Sequence, residues 1–179
     1  MHIIKVNDEV LYTDDPIVEI GRADIQELKQ AALSNPRRRI RLCGHRDVGA
    51  TLHEMLIVHT KDTYVRPHKH LNNSESFHVV EGLADIVVFD DIGNIAAVVP
   101  MGDYPSGRKF FYRLSDPCFH MLLIISEFFV FHETTGGPFV TTDTVFAPWA
   151  PEDEEEAAGQ RFLQETARRT ARHLSQRPD

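Results

Sequence analysis

Tyr64-Val-Arg-Pro-His-Lys-His-Leu-Asn-Asn-Ser-Glu-Ser-Phe-His-Val-Val-Glu-Gly82 is the stretch that decides the fold. His68 and His70 stand two apart, Glu75 follows with four residues between, and Gly82 with six. On an extended strand residues i and i+2 point to one face, so both imidazoles aim the same way. Arg66 and Tyr64 share that parity. A carboxylate arriving from the next strand completes three corners of a site for a first-row metal. The bland alternative is a histidine-rich strand end beside a surface glutamate. Glu81-Gly82 reads as a turn between apolar runs.

The spacing H-x-H-x4-E-x6-G resembles the first motif of the cupins. That resemblance implies a mainly β chain: a single double-stranded β-helix, the jelly-roll barrel, carrying an N-terminal helix and a C-terminal helix. The cupin pattern has a glycine six residues before the first histidine. Asp62 stands there instead, a departure that falls in a turn.

The rest of the chain sets bounds. Its 179 residues suit one domain with a sizeable core. A net charge of −8 argues against nucleic acid or an anionic membrane as the main partner. No apolar run approaches the length of a membrane span, and the N-terminus lacks a secretory pattern. With only Cys43 and Cys118, a disulfide framework is not expected, and a cytoplasmic setting is the default. Ten histidines tilt the chain toward metal chemistry.

Working outward, residues 1–45 read as a strand/helix extension packing on the barrel, 46–150 as the barrel, and 151–179 as the C-terminal helix. In the extension, His2–Val6 reads as an edge strand followed by polar turns. Residues 23–34 read as a helix with Ile25, Leu28, Ala32 and Leu33 on one stripe, stopped by Asn35-Pro36. Arg39 and Arg41 alternate with Ile40 and Leu42, which predicts a strand. Its arginines either bind an anion such as a sugar phosphate or meet local carboxylates. His53 and His59 in strand 51–60 are candidates for the pocket mouth, and His45 is left open. Leu83–Phe89 and Ile95–Val99 form a hairpin around Gly93, and Pro100–Gly107 reads as a loop. Helix 152–174 carries acids first and arginines last, as the helix dipole favours.

Pro117–Ile125 is apolar apart from Cys118 and His120. A lone polar group in such a strand needs a partner, and a metal would supply one. His120 is therefore the candidate fourth ligand, with a structural histidine as the alternative. The second cupin motif has Pro and Gly where Ser115 and Pro117 stand, and Asn at Ile124. Only the histidine matches. His132-Glu133, before Thr-Thr-Gly-Gly-Pro138, reads as rim, outer ligand support or a plain turn.

Four pieces together resemble the WbuC family of cupin-fold metalloproteins: Asn35-Pro-Arg-Arg-Arg39, Tyr64–His70, Phe131-His-Glu-Thr-Thr-Gly-Gly-Pro-Phe139 and Phe146-Ala-Pro-Trp-Ala-Pro-Glu152. The resemblance covers roughly residues 22–156 and implies metal ligation by His68, His70, Glu75 and His120. The family's name points to surface-polysaccharide (O-antigen) gene clusters. Such a donor set suits Zn, Fe, Ni or Mn. The expected role is a metal-dependent small-molecule enzyme or binder acting on a sugar or sugar phosphate. The alternatives are an iron-dependent dioxygenase and a non-catalytic regulatory or ligand-binding barrel. Arg66 and Tyr64 are the candidate catalytic neighbours, with Tyr112 a weaker one. Pairing through edge strands predicts a homodimer.

Overall fold

Alternation makes Glu75–Glu81 (β6) a strand with Phe77 and Val79 buried and His78 and Val80 exposed. Leu83–Phe89 (β7) is apolar on both faces and almost wholly buried. A strand of that kind must be covered on each side, so the barrel needs layers outside its two sheets.

The computed structural model describes residues 1–176. The other strands are β1 (Ile3–Lys5), β2 (Val10–Thr13), β3 (Arg39–Cys43), β4 (Leu52–Thr60), β5 (His68–His70), β8 (Ile95–Gly102), β9 (Phe111–Leu114), β10 (Phe119–Ile124), β11 (Phe128–Gly136) and β12 (Thr144–Phe146). The helices are α1 (Arg22–Ser34) and α2 (Glu156–Ser175). Among the described residues there are two sheets, in the orders β1-β2-β3-β4-β11-β6-β9 and β12-β5-β10-β7-β8. With β4 counted as first and β11 as eighth, the central strands run 1-8-3-6 in one sheet and 2-7-4-5 in the other. That is the strand order of a jelly roll. The chain is a double-stranded β-helix extended at both edges.

The inner faces meet in a core of Ile57, Phe77, Val79, Ile86, Met101, Ile124, Phe129 and Phe131. Outside the first sheet, Leu28 and Ala32 of α1 cover Ile40, Leu42, Leu56, Val58 and Val130. Outside the second, Leu163 of α2 with Ala147 and Ala150 covers Val87, Phe89, Phe119 and Met121. Each helix thus supplies the missing outer layer of one sheet.

Gly82 carries the chain from β6 in one sheet to β7 in the other. Its φ is +91°, and a Cβ there would lie 2.2 Å from the Phe128 carbonyl oxygen. Only glycine fits both demands.

Four expectations are revised. Pro100 lies inside β8 rather than in a loop; β8 is an edge strand, where a missing N–H costs no ladder bond. The C-terminal helix starts at Glu156, not Glu152, because Asp153 accepts from the Arg66 backbone N–H and pairs with Arg37. The polar turns after β1 contain β2, which pairs parallel to β3. In α1, Leu33 is exposed while Lys29 is buried, its Nζ 2.5 Å from Glu81 Oε1. No helix among the described residues is long and apolar enough to cross a membrane.

Candidate metal centre

β5 is only three residues long, but it lies between β10 and β12, with His68 opposite both His120 and Phe146. β6 brings Glu75 to the same end of the barrel. One ligand nitrogen from each of His68, His70 and His120 lies within 4.8 Å of the others. Glu75 Oε2 is 3.3 Å from His70 Nε2, and Oε1 is 2.8 Å from His120 Nε2. The structure brings together all four side chains expected as ligands.

The proton positions favour an ion at this point. His68 Nδ1 lies 2.9 Å from the Arg66 carbonyl oxygen, and His120 Nδ1 lies 3.0 Å from that of Cys118. Each Nδ1 therefore carries the proton and donates, leaving the Nε2 lone pair free to ligate. His70 Nδ1 is 3.3 Å from Thr144 Oγ1. Glu75 Oε1 is buried without a hydrogen-bond partner, since its close approach to His120 lacks hydrogen-bond geometry. Imidazole and carboxylate converging without bonding each other is the arrangement a shared cation satisfies.

Burial pushes His68 down to about 4, with His120 adding to the effect, so His68 is neutral at ordinary pH. Burial pushes Glu75 up, but His120 beside it outweighs this and holds the carboxyl well below its usual range. Burial likewise disfavours the His120 cation, and Glu75 reverses the sign and raises it. An ion at Nε2 competes with a proton for the same lone pair, so affinity falls as the medium becomes acidic.

Glu133, whose role was left open, faces inward from β11 opposite Phe77 and Met55. Burial, with Glu75 adding to it, pushes its carboxyl up to about 8. In the metal-free protein it keeps a proton that the unfolded chain releases above the ordinary glutamate value. Stability contributed by that group is lost as pH rises toward about 8. Glu133→Gln should flatten this fall, as read by urea melts at about pH 5 and about pH 8. Equal pH slopes in both proteins would show that the Glu133 carboxyl is not raised.

The other candidates lie elsewhere. The inward parity expected of Arg66 and Tyr64 stops at Pro67, because the strand begins only at His68. Arg66 Nε and Nη2 donate to the Ala147 carbonyl oxygen, and Tyr64 Oη donates to that of Pro151. Both side chains thus serve the segment leading into α2. Arg37 and Arg39 pair with Glu9 and Asp153, as the local-carboxylate reading expects. His53 lies in the row of Thr135 and Glu75, two strands from Glu75, and stacks on His45 at 4.1 Å. His59 is six residues further along β4, at the other end of the barrel, where burial holds it neutral. His132 points outward, 3.9 Å from Glu54. Glu133 was recoverable from sequence as the odd member of the inward series Phe129, Phe131, Glu133.

Strand order and donor set together define a cupin-type double-stranded β-helix with a candidate three-histidine, one-carboxylate centre. Within that class, residues 20–101 match the family model described as a domain of unknown function, DUF6016. No curated protein matches. Among solved structures, the chain is similar to a Shewanella oneidensis protein at 12% identity and TM-score 0.49, over 59% of this chain and 72% of that one. It is also similar to a Klebsiella pneumoniae protein with a double-stranded β-helix domain, at 12% identity and TM-score 0.47, over 61% and 79%. The cupin domain of Schizosaccharomyces pombe Cnp3 matches at 11% identity and TM-score 0.43, over 55% and 64%.

Proposed function

We propose that this chain is a metal-dependent enzyme or binder of a small carbohydrate-derived molecule, in surface-polysaccharide metabolism. The observation that carries the reading is the convergence of His68, His70, His120 and Glu75 with each histidine Nδ1 occupied by an outer partner. A Zn, Fe, Ni or Mn ion held there would supply Lewis-acid chemistry. The protein's own contribution is to orient the three imidazoles and hold His68 neutral, to keep Glu75 ionised, and to place the protonated Glu133 on the same inner face. Arg41 supports an anionic ligand. It is exposed, shares its face of β3 with Cys43, and has no carboxylate partner among the described residues. The resemblance to the WbuC family is what points to polysaccharide. The exposed Phe111 and Val80 beside the open edge of β9 support pairing of two copies.

The test is to strip the protein with a chelator, reload it separately with Zn, Fe(II), Ni or Mn, and offer sugar phosphates and sugar nucleotides. At least one loaded form should bind or convert a member of that set, and the stripped form should not. Oxygen uptake by the iron form with such a substrate would favour the dioxygenase. Tight binding without turnover would favour the non-catalytic barrel. No binding by any loaded form would end the carbohydrate reading.

A further inference from the structure

We propose that Tyr112 is a positioning residue for the metal centre, its hydroxyl turning to donate to Glu75 when an ion is bound. The proposal rests on the metal reading above and extends it to a group beyond the four ligands.

The strand register supplies the placement. Tyr112 of β9 stands opposite Phe77 of β6, and Leu114 stands opposite Glu75. Tyr112 and Glu75 are therefore diagonal neighbours on the inner face, a separation that an aromatic side chain spans. The Tyr112 ring packs against Phe77, with centroids 5.7 Å apart.

Two unpaired groups lie on these neighbouring side chains. Tyr112 is 9% exposed and Glu75 is 3% exposed. Tyr112 Oη and Glu75 Oε1 are both closed off from water, and neither has a hydrogen-bond partner. One is a donor without an acceptor, and the other an acceptor without a donor. Buried polar groups are rarely left so. Burial and the charge of Glu75 both push the phenol up, so it keeps its proton and can only donate. Donors to a ligating carboxylate fix its orientation and are part of what sets metal affinity. The three histidines already have such partners in the Arg66 and Cys118 carbonyls and Thr144. Glu75 is the one ligand lacking one among the described residues, and Tyr112 is the group placed to serve.

The test is Tyr112→Phe, which removes one oxygen and keeps the ring. Zinc affinity, measured by competition against a chromophoric chelator, should weaken about 10- to 100-fold. The metal-free variant should be as stable as the wild type or more so, because an unpaired hydroxyl has gone. A purely structural tyrosine would give the opposite pattern, lower metal-free stability with affinity falling in step, and that result would overturn the proposal. In a Glu75→Ala background, Tyr112→Phe should leave zinc affinity unchanged. An equal loss in both backgrounds, or no loss in either, would also overturn it. Wild-type protein that takes up no zinc would instead remove the metal reading itself.

Discussion

Replacing His120 by alanine is expected to empty the metal centre. Protein purified without a histidine tag should carry about one ion per chain, and the His120→Ala and His68→Ala variants far less. His120 is 3% exposed, its Nδ1 is fixed by the Cys118 carbonyl, and its Nε2 points into the cluster. Removing it deletes a ligand and also the group that holds the Glu75 charge. Loss of an outer partner alone costs roughly 10- to 100-fold in affinity, so loss of a ligand should exceed that. A folding control is needed, because the substitution opens a small cavity and strands a buried carboxylate. Circular dichroism on both variants supplies it, and His68→Ala is the milder of the two, since His68 does not pair with Glu75. Equal metal in the wild type and both folded variants would end the site assignment.

The second large effect is expected for Glu75→Gln. The amide keeps the shape and loses the charge. Retention should weaken by roughly an order of magnitude or more, and elemental analysis after dialysis against a mild chelator reads it directly. Two further changes should accompany it. His120 loses the neighbour that raises it and becomes easier to keep neutral. Glu133 loses the nearby negative charge that helps push it up, so its carboxyl should move back toward the ordinary range. Unchanged retention in Glu75→Gln would mean that the carboxylate lies beside the ion without ligating it.

The barrel and its four converging side chains were legible because local rules decide them. Period-two alternation set the inward face of β6, and the H-x-H pair needed only an extended backbone. His120 stood out as a lone imidazole in an apolar strand. What escaped the sequence depends on pairings made far away in the chain. β12 is three residues long, and its strand character comes from pairing with β5. β2 has the same origin in β3. Arg66 looked inward by counting, but Pro67 ends the run, and the carbonyl of Ala147 claims its guanidinium. Lys29 sits on the apolar stripe of α1 because Glu81, fifty-two residues away, neutralises it. Glu133 was visible as a member of a series, while its raised carboxyl depends on Glu75 arriving from another strand.

The narrowness of β5 has a consequence for the order of assembly. His68 and His70 are made early, yet their strand is flanked by β10 on one side and β12 on the other. A nascent chain that has emerged only as far as Gly136 has every other strand of the barrel but leaves β5 with one neighbour. The two histidines gain their second neighbour only when Thr144–Phe146 leaves the ribosome. During synthesis, the centre is therefore among the last parts of the molecule to be completed, although three of its four ligands are translated in the first half of the message.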